Sequence, residues 1–181
     1  AMSQTLDPQT TRAHADAPTL TGVRVPRHFT KSGQDALADV KWDKRRTVIA
    51  NADGSVVFQM DDVEVPSTWS QLATDIVVSK YFRKAGLPGT PGHETSVRQV
   101  VRRLARTTRL TGEEQGGYFA TPEDAEAFEA ELTYMLVHQI GAFHLPVWFN
   151  CGLFHEYGIT GTGGTYYTNR PEESVQNTDE Q

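Results

Sequence analysis

The segment from Thr121 to Leu153 constrains this chain more than any other. It starts as an acidic helix, opened by Thr121-Pro122-Glu123-Asp124 and running to Gln139. It then empties into the apolar, hairpin-like run Pro146-Val147-Trp148-Phe149-Asn150-Cys151-Gly152. Thr121 has the side chain of an N-cap and Pro122 suits the first helical position. Glu123, Asp124 and Glu126 put negative charge where the helix dipole favours it. The inward face reads Ala125, Phe128, Leu132, Met135 and Leu136. An aromatic segment leaving such a helix has to be buried. Residues to receive it are scarce downstream, because Val175 is the only aliphatic residue after Ile159. The expectation is a chain that stops as it enters a core supplied from elsewhere.

Size agrees with one domain plus tails, since the chain has 181 residues and a mass of 20.1 kDa. A hydrophobic content of 38% and a mean hydropathy of -0.49 leave room for unstructured ends. No apolar run approaches the roughly 20 residues of a membrane helix, and the first residues lack the pattern of a signal peptide. The expected location is therefore cytoplasmic. Ala1 ahead of Met2 reads as a cloning remnant. One cysteine excludes an internal disulfide and any multi-cysteine metal site. Charge is uneven: residues 1–110 hold 16 Lys/Arg against 11 Asp/Glu, and residues 111–181 hold 1 against 12. Such a split either steers partners or lets the two halves attract each other.

Residues 1–38 carry Pro8, Pro18, Pro26, Gly22 and Gly33 with no sustained period, which predicts a flexible arm or one held by a partner. Strand-like runs follow, Thr47-Val48-Ile49-Ala50 and Ser55-Val56-Val57-Phe58, joined by Asn51-Ala52-Asp53-Gly54. Asp-Gly between β-rich runs signals a hairpin, and Pro66 ends it. Three helices are then expected. The first has a Thr68-x-x-Gln71 capping box and apolar Leu72, Ile76, Val77 and Phe82. The second begins after Pro91-Gly92 and places Val97, Val100, Val101 and Leu104 on one face. Its other face is an arginine row, Arg98, Arg102, Arg106 and Arg109, either a solvated surface or a stripe for phosphates or acidic helices. The third is the Thr121 helix. The fold class is thus mainly α (α+β): a β-hairpin and a three-helix domain over 39–157, an arm over 1–38 and a flexible tail over 158–181.

No catalytic constellation rises from spacing alone. Cys151 lies near His144 and His155, but lone cysteines are commonly small buried residues, and packing is the expected role. His138, His144 and His155 match no compact metal-ligand spacing. Gly161-Thr162-Gly163-Gly164 lacks the Lys-Ser/Thr of a P-loop and a following apolar helix, and reads as a loop.

Five ordered blocks carry a resemblance instead. They are Lys41-Trp42-Asp43 with Arg46; Val63-Glu64-Val65-Pro66 leading through Trp69-Ser70-Gln71 to Ile76-Val77-Val78-Ser79-Lys80-Tyr81-Phe82-Arg83; Ser96-Val97-Arg98-Gln99; Gly117-Tyr118-Phe119-Ala120-Thr121 with Glu123-Asp124-Ala125; and Val147-Trp148-Phe149-Asn150 before Gly152. Over residues 40–160 the chain resembles the N-terminal domain of the adenosylcobalamin-dependent (class II) ribonucleotide reductases.

The resemblance implies radical reduction of a ribonucleotide to a deoxyribonucleotide. In that family a finger-loop cysteine inside a ten-stranded α/β barrel becomes a thiyl radical, and a cysteine pair supplies the electrons. The first cysteine of that pair lies in a Ser-Ala-Cys-Phe-type motif that this sequence does not contain. The chain alone is therefore expected to be inactive, with the barrel as its partner, the ribonucleotide as substrate and adenosylcobalamin as the cofactor of the complete enzyme. Cys151 stands where the family usually has Thr or Val. The family's Asn-Ser-Pro is replaced by His144-Leu145-Pro146, and Leu145 cannot donate a hydrogen bond to a phosphate. Pro146, Trp148 and Asn150 carry over as residues bordering the substrate. The alternative is a stand-alone nucleotide- or protein-binding module using Arg98, Arg102 and Arg106.

Overall fold

The computed structural model describes residues 21–160. Strands β1 (Trp42–Ala50) and β2 (Val56–Pro66) pair antiparallel, with Trp42 opposite Pro66 and a register shift between Arg45 and Thr47. Helix α1 (Gln71–Ile76) runs into a π-helical turn at Val77–Tyr81. The long helices α2 (Val97–Glu114) and α3 (Pro122–Val137) follow, and two short helices, α4 (Leu145–Asn150) and α5 (Leu153–Tyr157), close the described chain. The class is mixed α+β. Where a three-helix domain is expected, the described residues hold α1 with its π-helical turn, α2, α3, α4 and α5.

The hairpin turn forms where Asp53-Gly54 predicts it. Gly54 sits at φ 85°, and the Asp53 carboxylate accepts from the Ser55 backbone N–H and hydroxyl. Only the inner end of the ribbon is buried. Val63 and Val65 enter the core, whereas Val48, Val56 and Val57 near the turn stay exposed.

Helix starts show which capping signals win. Thr121 caps α3 by accepting from Asp124 N–H, with Pro122 in the first turn, as its sequence predicts. The first helix is capped by Ser70 rather than Thr68, since the Ser70 hydroxyl accepts from Ala73 N–H. Thr74, Val77 and Val78 face inward, and Leu72 and Ile76, expected inside, are 69% and 43% exposed. Helix α2 begins at Ser96, where Ser96 and Gln99 form a full capping box.

The core joins Leu37, Val63 and Val65 to Trp69, Val78 and Phe82, then to the α2 face Val97, Val100, Val101 and Leu104 and to Leu136, Val137 and Trp148. Each of these aliphatic side chains contributes about 2 kcal/mol by leaving water. Of the arm over 1–38, expected to be flexible or held by a partner, residues 21–38 are described, and they lie against α3. Val23 bridges to Phe119, and Val25 N–H donates to Asp124. Phe29 and Thr30 N–H donate to Glu131, and Leu37 is buried. Because the arm covers α3 on a second side, Ala127, Glu131 and Thr133 are buried beside Ala125 and Leu136. The tail's Gly161-Thr162-Gly163-Gly164 loop lies outside the described residues.

Candidate substrate-bordering segment

Helix α4 carries the residues singled out in the sequence. His144 stands at its N-cap without a side-chain capping bond, Pro146 occupies the first turn, and the chain leaves through Cys151 and Gly152. Pro146 and Asn150 are exposed, as are Leu145 and Phe149. Trp148 turns the other way and is buried. Its indole N–H donates to the Phe143 carbonyl at 2.8 Å, and its ring stacks on Tyr81 with centroids 5.2 Å apart. Trp148 therefore anchors a short helix that offers Pro146 and Asn150 to solvent. The hairpin-like reading of this segment is corrected to a helical turn ended by a glycine.

A residue that the sequence reading passed over fixes this helix. Arg103 has no exposed side-chain surface. Its Nε donates to Glu94 Oε1 at 2.7 Å, Nη1 to the Cys151 carbonyl at 2.7 Å, and Nη2 to the Trp148 carbonyl at 2.8 Å and the Tyr81 carbonyl at 3.0 Å. Glu94, equally enclosed, also accepts from Arg83 N–H and from the Tyr157 hydroxyl. Burial, then the neighbouring carboxylate, pushes the Tyr157 phenol far above its ordinary range, so it remains a donor. Gly152 adopts φ 85°, and a Cβ there would collide with the backbone carbonyl of Arg103. A sequence signal for Arg103 did exist, because it lies three residues after Val100 on the apolar face of α2.

The arginine row is already partnered within the chain. Arg98 Nε meets Glu64 at 3.1 Å and stacks over Trp42, and Arg102 meets Asp35 at 2.6 Å. Arg106 lies 3.6 Å from Glu156, and Arg109 binds Glu113 and Glu129. The cleft of about 460 Å³ beside Arg102, Arg106 and Arg109 also contains Asp35, Glu129 and Glu156, which offset its positive charge.

Cys151 is half-buried against the core, and burial raises its thiol pKa, with Arg103 opposing less strongly. The opposite shift would mark a nucleophile. Among the described residues no three His, Cys, Asp or Glu side chains are grouped to hold a metal ion. A second cleft of about 270 Å³, with Trp69, Ile76, Tyr81, Phe143 and Trp148 in its walls, runs beside α4. The residues lining the two clefts include no histidine or cysteine to ligate a cobalt ion. No described helix is long and apolar enough to cross a membrane.

The fold is a small α+β unit in which a buried ion pair anchors one short aromatic helix. Residues 43–139 match the family model described as class II vitamin B12-dependent ribonucleotide reductase, and the chain belongs to that family. It is 42% identical to the vitamin B12-dependent ribonucleotide reductase of Agrobacterium fabrum, with 80% of this chain and 14% of that protein aligned. It is 43% identical to the reductase of the same name from Rhodopirellula baltica over 81% of this chain and 14% of that protein. With that of Streptomyces coelicolor the identity is 48%, over 72% and 13%. The chain thus spans about 14% of the length of these relatives, in their N-terminal part.

Proposed function

We propose that this chain serves as the N-terminal domain of a cobalamin-dependent ribonucleotide reductase, with the outer face of α4 bordering the ribonucleotide. The family match over residues 43–139 carries the reading. It stops short of α4, whose role is supported by the Val147-Trp148-Phe149-Asn150 resemblance and by the geometry that buries Trp148 and exposes Pro146 and Asn150. The apolar residues Leu145 and Phe149, both exposed, fit a surface that meets the barrel. The chain alone is inactive, because the family chemistry uses a redox cysteine pair and a radical cysteine, and this sequence has one cysteine, held as a raised-pKa thiol. Adenosylcobalamin supplies the radical in the complete enzyme, in the barrel.

The test is a segment exchange. Residues 43–157 replace the matching segment of the Streptomyces coelicolor reductase, and cobalamin-dependent conversion of ribonucleotide is measured. The expected chimera works within about tenfold of its parent. A folded but inactive chimera, or turnover by this chain by itself, refutes the reading. The binding-module alternative predicts saturable nucleotide binding by the chain that weakens on Arg102→Glu with Arg106→Glu. The internal pairing of both arginines argues against it.

A further inference from the structure

Helix α4 has six residues, too few to hold itself. At its two ends Val147 N–H donates to the His144 carbonyl and Cys151 N–H to the Val147 carbonyl. The carbonyls at its C-terminal end have no helical partner, and in a buried place each would cost stability if left unpaired. Arg103 meets this need from another element. Four of its hydrogen bonds leave one guanidinium, two of them to the Trp148 and Cys151 carbonyls and one to Tyr81, the residue whose ring stacks on Trp148. The bond to Glu94 sets the plane of the fork, and Glu94 is itself fixed by Arg83 N–H and Tyr157. Gly152 completes the device by lying directly against the Arg103 backbone. The direction of α4 is therefore set by α2 through one side chain.

We propose that Arg103 is a positioning residue of the reductase, holding the Trp148–Cys151 backbone so that Pro146 and Asn150 meet the ribonucleotide. This rests on the proposed role of α4. Arg103 touches no substrate, being enclosed on all sides, and it acts through the carbonyls it holds. A lysine there keeps the charge facing Glu94 but has a single nitrogen, which cannot span three carbonyls and a carboxylate. The expected consequence is a displaced α4 in a folded domain.

Two readouts test this, each against Leu104→Ala, a buried α2 substitution that lowers stability without removing an Arg103 hydrogen bond. In the 181-residue chain labelled with 5-fluorotryptophan, Trp42, Trp69 and Trp148 give three fluorine resonances, the last assigned by Trp148→Phe. Arg103→Lys should shift or broaden the Trp148 line alone, and Leu104→Ala should leave it in place. In the reductase chimera, Arg103→Lys should raise the ribonucleotide KM at least about fivefold with kcat within about twofold, and Leu104→Ala should change neither. If Arg103→Lys does not fold, Glu94→Gln, which releases the fork, should reproduce both effects. An unmoved Trp148 line overturns the proposal, as does a moved line with an unchanged KM. An inactive chimera with the unsubstituted segment removes the α4 reading itself, and the positioning role with it.

Discussion

The guanidinium of Arg103 and the carboxylate of Glu94 meet at 2.7 Å with neither side chain exposed to solvent. Desolvating both charges is costly, and the pair is offset by the further hydrogen bonds each ion makes. Removing one partner strands the other. Arg103→Met is expected to destabilise the domain by about 3–5 kcal/mol, read as a lower urea midpoint. Arg102→Met, which breaks only the exposed pair with Asp35, should cost less than about 1 kcal/mol. Equal effects of the two substitutions would mean that the buried pair carries no special weight.

Gly152 and Gly158 both hold positive φ, at 85° and 68°, and so form a matched comparison. Gly158 has open space where a Cβ would go, so Gly158→Ala should cost only the left-handed backbone penalty, about 1 kcal/mol. Gly152→Ala adds a collision with the Arg103 carbonyl and should cost more than about 2 kcal/mol. Thermal unfolding of the two variants checks the order, and a milder effect at Gly152 would mean that α4 can move away from α2 freely.

Local chemistry was the legible part of this fold. The Thr121-Pro122 start of α3, the Asp53-Gly54 turn and the apolar face of α2 follow from side chains acting on their own neighbours. The arm over 21–38 was illegible because its backbone N–H groups make the bonds to Glu131 and Asp124, and backbone donors leave no sequence period. Helix α4 was hidden for a related reason. Six residues are too few to show a helical period, and the run holds its shape through carbonyls bonded to Arg103. The arginine row was read as one surface, yet its members pair separately with Glu64, Asp35, Glu156 and Glu129, on four different segments.

Cys151 offers a check on the chemistry assigned to this chain. Burial raises its pKa above the ordinary 9.0, which leaves less thiolate at a given pH. Alkylation by iodoacetamide at pH 8 should be slower in the folded chain than in urea, and the gap should narrow as pH rises toward the folded pKa. Faster alkylation in the folded chain would reveal an activated thiol and reopen a redox role.

Acid should release the arm from α3. Burial raises the Glu131 pKa, but hydrogen bonds from the Thr30 hydroxyl and from the backbone N–H groups of Phe29, Thr30 and His28 outweigh it and hold the carboxyl below its ordinary 4.5. A depressed folded pKa means that the stabilisation is complete above the unfolded value and is lost as pH falls through the folded one. The window therefore opens near 4.5 and extends downward. Glu131→Gln removes the charge at every pH and turns an amide N–H₂ toward donors, so it should cost about 2 kcal/mol at pH 7. The difference between variant and parent should shrink as pH drops below 4, measured by urea titration at each pH. A difference that stays constant across this range would place the acid response on other carboxylates. Asp124, held low first by the Val25 backbone N–H and then by the Thr121 hydroxyl, is the next to test, because it ties the same arm to the same helix.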